Sequence, residues 1–269
     1  MLPDFLLLIA ISLPLGALAG FAAGLFGIGG GAIIVPVLYY VFTNMGYYGD
    51  AAMQAAVATS LLTIVPTGFV SSYTHYKHKA VDFTWFKLLL IGIVIGAVFG
   101  GLSAIALPGD VLKRIFGGIL LVMAFLMFKS GAKIVQEHVD VNKILAAAFG
   151  LFSGVVSALM GIGGATLNVP FMVQQGLAIN RAIATASALG VCVAVSGSLV
   201  FLLNDVNGNG DVLTPYSIGY VNYVAVASII ALSVFTAKIG AKLTHKMDAK
   251  KLKKFFAVFM MLIALKMLF

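Results

Sequence analysis

Charge is what this sequence has least of: Asp, Glu, Lys and Arg make up 10% of its 269 residues, against about 25% in an ordinary soluble domain. So few charges cannot make a water-facing surface. Cysteine is almost absent. Cys192 stands alone, which excludes an intrachain disulfide and a CxxC metal site; it lies in an apolar run and is expected to pack as a small hydrophobe. No basic residue precedes Lys77, so the first apolar stretch lacks the basic n-region of a cleaved signal peptide and is expected to be a retained helix. The apolar runs lack ionisable groups: Asp50, Asp82, Glu137, Asp140, Asp205 and Asp211 fall at run ends or in loops, leaving no candidate for a buried carboxylate proton relay. His75, His78, His138 and His245 lie near loops without metal-ligand spacing and are expected to be solvated or interfacial. There is no Ser-His-Asp arrangement, zinc motif or P-loop, so no enzyme, cofactor or metal is expected.

What is present is hydrocarbon. Hydrophobic residues make up 61% of the chain, and mean hydropathy is +1.09. Runs such as 5–26, 83–107 and 216–237 approach the roughly 20 residues that a spanning helix needs. The chain reads as one all-α integral membrane domain over residues 1–269. Its formal net charge of +8 is concentrated in loops, most densely between Lys238 and Lys254, which points to membrane topology rather than to nucleic acid.

The sequence repeats itself. GLFGIGGGAIIVP (Gly24 to Pro36) is echoed by ALMGIGGATLNVP (Ala158 to Pro170), AVATS (Ala56 to Ser60) by AIATAS (Ala182 to Ser187), and LKRIF (Leu112 to Phe116) by LKKFF (Leu252 to Phe256), in the same order. Two units follow, at about 1–130 and 143–269, each of five helical segments with the glycine run breaking the first from the second. If that break returns the chain to its starting side, each unit crosses the bilayer an odd number of times, and its tandem copy comes out inverted. Charge agrees: with the N-terminus outside, fourteen of the seventeen Lys and Arg fall inside, leaving Lys113, Arg114 and Lys266 outside. Units of four crossings would put the seven-Lys segment outside. The acidic loop 204–211 and both termini are expected outside.

Backbone polar groups at Gly27, Gly29, Gly30, Gly31 and at Gly161, Gly163, Gly164 cannot face lipid bare; they must be buried in protein or line a wet cavity. In inverted units the two breaks would meet near the midplane, and the helices restarting at Ala32 and Ala165 would aim N-terminal N–H groups and a positive dipole end at the centre, where an anion could bind. The alternative is that these glycines serve only close helix packing. Thr59, Ser60, Thr185 and Ser187 offer hydroxyls that either donate to an anion or bond back to their own helices. Asn168 and Gln174 are either interhelical hydrogen-bonding groups or asymmetric substrate contacts. Arg181 either attracts anions at a mouth or reports topology.

The doubled GxGGGxxxVP motif, the ATS stretch and the basic segment before the last apolar helix resemble the sulfite exporter TauE/SafE family of membrane permeases. The resemblance spans nearly the whole chain, the second copy departing at Ala165 and Asn168. It implies transport of sulfur-containing or related organic anions such as sulfite, sulfonates or sulfoacetate, usually in the bacterial inner membrane. The expected protein is a secondary transporter working by alternating access, drawing on the substrate gradient, the membrane potential or a coupling ion such as H+ or Na+. A passive anion channel and a non-transporting accessory subunit are the other readings.

Overall fold

A computed structural model describes residues 2–26, 29–46, 48–129, 142–204, 216–243 and 249–268. Gly27, most of the acidic loop (205–211) and the basic stretches 130–141 and 244–248 lie outside the described residues. Among the described residues ten α-helices follow in the expected order. In unit one they are α1 (Leu2–Phe26), α2 (Gly31–Met45), α3 (Ala52–Lys77), α4 (Phe83–Ala106) and α5 (Gly109–Lys129); a 3-10 turn, Gly49–Ala51, leads into α3. Unit two supplies α6 (Lys143–Leu159), α7 (Ala165–Gln174), α8 (Ile179–Leu203), α9 (Tyr223–Leu243) and α10 (Ala249–Leu268). Among the described residues, α1, α3, α4, α8 and α9 are each long and apolar enough to cross a membrane.

The helix ends follow local chemistry. Asp82 accepts from the N–H groups of Thr84 and Trp85 and caps α4; Leu107 turns extended before Pro108, where a proline disfavours helix in the preceding residue. One boundary departs from the sequence reading. The run 216–237 is not one span: Ser217–Ile218 and Val221–Asn222 form a two-stranded antiparallel hairpin, reversed at Gly219 with φ +55°. Asn222 then caps α9 by accepting from the Ala225 N–H.

Helices pair between units. α1 packs along α9 and α4 along α6; α3 crosses α8, and α5 lies on α10. Exchanging the two units maps each of these pairings onto another or onto itself. The first two are ladders of glycine four residues apart. On α1, a Cβ at Gly16, Gly20 or Gly24 would stand 2.0–2.3 Å from the carbonyl oxygens of Ile229, Ser233 and Ala237. On α4, one at Gly92, Gly96 or Gly100 would stand 2.2–2.4 Å from those of Ala147, Leu151 and Val155. Only backbones without side chains approach this closely, the small-residue packing that holds helices together where lipid removes the hydrophobic drive. Other large apolar side chains cover the outer surface: Ile91, Phe99, Phe125, Phe152 and Phe235 are all at least 56% exposed.

α3 is the most enclosed long helix, with 72% of its apolar window buried against 39% for α1. One face carries Ser60, Thr63, Thr67, Ser71, Thr74 and His75, all buried. His75 corrects the sequence reading. It is 0% exposed, because α3 continues to Lys77 with this hydroxyl face turned into the bundle.

Candidate functional site

The helices that restart after the two glycine runs are short. At 1.5 Å per residue α2 covers about 22 Å and α7 about 15 Å, less than the roughly 30 Å of a hydrocarbon core. Contacts place their far ends. Phe5, at the start of α1, packs on Tyr216, and beyond α2 Tyr48 hydrogen-bonds Ser217, so both ends of the α1–α2 pair lie at the end of the bundle that carries the β hairpin. At the other end Phe149 of α6 stacks on Phe171 of α7 with ring centres 3.8 Å apart, and Phe171 meets Trp85 at the start of α4. The two helix pairs thus enter from opposite ends of α3 and turn back inside the bundle.

Their tips touch. A Cβ on Gly29 would lie 3.0 Å from Gly163 Cα and 3.2 Å from Ile64 Cδ1; one on Gly190 would lie 2.3 Å from the Gly163 carbonyl oxygen. Ile64 and Gly190 stand halfway along α3 and α8, so the breaks meet at the middle of the helical core. Gly30 and Gly164, the residues before α2 and α7, both adopt the left-handed conformation, φ +75° and +73°, which side chains other than glycine's enter at a steric cost. Each sends its carbonyl to an N–H one turn into the new helix: Gly30 O accepts from Ile34 at 3.1 Å and Gly164 O from Asn168 at 3.0 Å. The same carbonyls also accept from Ile33 at 3.0 Å and Leu167 at 3.2 Å; the first two N–H groups of each helix precede the ladder and leave the positive dipole end at the break.

Between the tips is a cavity of about 10 Å3 lined by Gly29, Gly163, Ile64, Gly190, Ser71 and Ser187, among others. That is room for about one water molecule, so a polyatomic anion needs the helices to part. Ser71 Oγ has no hydrogen-bond partner among the described residues.

The sequence-derived candidates separate here. Gly29, Gly30, Gly31, Gly161, Gly163 and Gly164 come together around the two tips, with Gly27 outside the described residues. Ser60 donates to the Gly161 carbonyl at 2.8 Å and thereby ties α3 to the second break. Ser187 bonds back to Ile183 O while lining the cavity. Asn168 is 0% exposed, and neither atom of its amide has a partner among the described residues.

Thr59 and Thr185 are occupied elsewhere, in two latches between the units. At the hairpin end, Thr59 accepts from the Asn222 N–H at 3.1 Å, and the Asn222 amide donates to Tyr48. At the opposite end, Thr185 accepts from the Asp82 N–H at 2.8 Å, and Arg181 pairs with the Asp82 carboxylate at 2.8 Å. Asp82 and Asn222 are matched residues, each capping the fourth helix of its unit and each bonded to the ATS threonine of the other. Helix-cap chemistry marks both in the sequence; their cross-unit partners are visible only in three dimensions.

A helical bundle packed through glycine ladders, with two short helices restarting at its centre, defines a membrane-embedded protein with a polar point in its middle. The sulfite exporter TauE/SafE family model matches residues 12–267, and the chain belongs to that family. It is 35% identical over 260 residues to a probable membrane transporter protein of Haemophilus influenzae, covering 96% of this chain and 97% of the relative. Another probable membrane transporter protein, of Methanocaldococcus jannaschii, is 28% identical over 93% of this chain and 91% of its own length, and YunE of Bacillus subtilis, named likewise, is 26% identical over 95% of each. No solved structure matches the chain. The chain is accordingly a membrane transporter.

Proposed function

We propose that the transporter carries a small anion by alternating access between two inverted units, as a secondary carrier of the bacterial inner membrane. The observation that carries this reading is the meeting of two glycine tips at mid-bundle, each opening a helix whose N-terminus favours negative charge. The family's description as sulfite exporters points to a sulfur oxyanion or sulfonate as cargo. The Asn222–Thr59 and Asp82–Thr185 latches are its two gates, closed together around the nearly filled centre.

Purified protein in liposomes is expected to move radiolabelled sulfite or a sulfonate with saturable flux and to support counterflow. Flux that rises linearly with concentration would make it a channel, and no flux with any oxyanion would leave an accessory subunit. Gly30→Leu and Gly164→Leu are each expected to abolish flux while protein remains in the membrane, since a side chain there meets strained φ and, at Gly30, the Ala19 carbonyl 2.8 Å away. Normal uptake by both variants overturns the site.

Orientation has its own check. A cysteine at Asn207 is expected to react with an impermeant thiol reagent from outside intact cells and one at Lys250 is not, as the positive-inside distribution requires. The opposite pattern inverts the assignment.

A further inference from the structure

The two glycine tips are alike in backbone but not in what surrounds them. Gly29 and Gly163 are equivalent at a spacing of 134 residues, and the same spacing pairs Ala23 with Ser157, Ala32 with Thr166 and Ile34 with Asn168. Three positions that are hydrocarbon at the first tip are therefore hydrogen-bonding groups at the second. We infer that the anion is held at the second tip alone, by a pocket of neutral donors from Asn168, Thr166 and Ser157, and that this pocket selects a singly charged oxyanion. The inference rests on the anion-transport reading and specifies where and what it binds.

The geometry converges for Asn168 and Ser157, while Thr166 joins them through its place at the same helix start, the second residue of α7. Asn168 lies in the first turn of α7, and its Nδ2 is 3.1 Å from the point where a Cβ on Gly164 would stand; Ser157 Oγ, from α6, is 3.4 Å from the same point. The point is closely walled, with Val193 also 3.4 Å away, so an anion enters only when the helices part, and it then meets these two donors beside the N–H groups of a helix start. Asn168 is wholly buried, and its Nδ2 and Oδ1, with the buried Thr166 Oγ1, have no hydrogen-bond partners among the described residues. A donor kept dry and unpaired is destabilising, and a ligand with several acceptor oxygens satisfies the Asn168 Nδ2 and the hydroxyls, leaving only the Oδ1 acceptor without a partner. At the first tip the matching Ala23, Ala32 and Ile34 are buried and offer no side-chain donor.

The charge class follows from what surrounds the pocket. In the helices that wall this tip, α3, α6, α7 and α8, the cationic side chains sit only near the far ends, at Lys77, Lys143 and Arg181, with His75 one turn beyond Ser71, so the pocket meets negative charge with neutral donors and the partial charge of one helix end, about half an elementary charge. That suits a monoanion. A dianion in the same dry place would need a paired cation.

The test is binding of methanesulfonate, a monoanion at every accessible pH, to the full-length protein in lipid nanodiscs, with sulfate and chloride as comparators. Wild-type protein is expected to bind methanesulfonate more tightly than either. Thr166→Val and Ser157→Ala, which delete a hydroxyl at nearly constant shape, are each expected to weaken it about tenfold, as losing a hydrogen bond to a charged group does. Asn168→Leu is expected to abolish binding, and Ile34→Leu at the first tip to leave it unchanged; if Asn168→Leu does not fold, the two hydroxyl deletions decide. Methanesulfonate binding that survives all three second-tip changes overturns this inference and leaves anion transport standing. Tighter binding of sulfate overturns the charge class, and wild-type protein that binds none of the three anions overturns this inference, while anion transport is decided separately by the liposome flux.

Discussion

Valine at Gly31 is expected to remove folded protein from the membrane almost completely. Gly31 opens α2, and a Cβ there would stand 2.0 Å from the Gly161 carbonyl oxygen, 2.9 Å from its carbon and 3.0 Å from Ile162 Cα. All three are backbone atoms of the other unit's break, so no rotamer change relieves the clash. Gly161 is itself fixed by the Ser60 hydroxyl, and moving it pulls on α3. Over-packing a well-filled core costs about 1–3 kcal/mol where side chains can adjust; with backbone against backbone the two tips must separate, and the interface at the centre of the fold goes with them. The control is Gly118→Val on α5, where nothing lies within 4 Å of the added Cβ and the residue gains helix propensity by a few tenths of a kcal/mol. Fluorescence-detected size exclusion and thermal melting of the two variants read the difference. A Gly31→Val protein that elutes and melts as wild type contradicts the contact between the tips.

Helix number and order were legible because each lipid-length apolar run ends at a glycine run, a proline, an aspartate or a lysine cluster. Repeats were legible because the glycine run, with its VP tail, is too unusual to recur by chance. The β hairpin was not: Tyr216, Ile218, Tyr220 and Val221 are as apolar as the helix that follows, and only Gly219 and the capping Asn222 mark the reversal. The ladders on α1 and α4 were present as spacing, Gly16-Gly20-Gly24 and Gly92-Gly96-Gly100, yet spacing alone does not say which helix lies opposite. The same holds for the site. Glycine identity located the tips, whereas the occupation of Thr59 and Thr185 depends on partners 163 and 103 residues away, which no local pattern encodes. Asn168 shows the reverse case, because one polar residue set against Ile34 in an otherwise matched motif is readable from the repeat itself.

Thr59→Val and Thr185→Val are expected to open opposite ends of the transporter. Valine keeps the shape of threonine and removes the acceptor. Without Thr59 the Asn222 N–H, on a residue 1% exposed, loses the hydrogen bond it makes across the units, at a cost of about 1–3 kcal/mol. That free energy is spent only while the hairpin-end gate is shut, so the population with that gate open rises by about 5–150-fold. The other end behaves differently. Thr185→Val removes one bond to Asp82 but leaves its pair with Arg181, whose side chain is 52% exposed; a pair so open to water holds by about 1 kcal/mol or less. It weakens further as salt screens it, so the double change Thr185→Val with Arg181→Gln is needed for full opening. In a Cys192→Ala background, Val221→Cys reports the hairpin end and Ala80→Cys the other, both buried in the closed form. Thiol labelling at 221 is expected to accelerate at least about fivefold in Thr59→Val and not in the double variant, with the reverse at 80. Rates that rise at both positions in either variant would mean the latches hold the fold rather than the gates, and alternating access would lose its structural basis here.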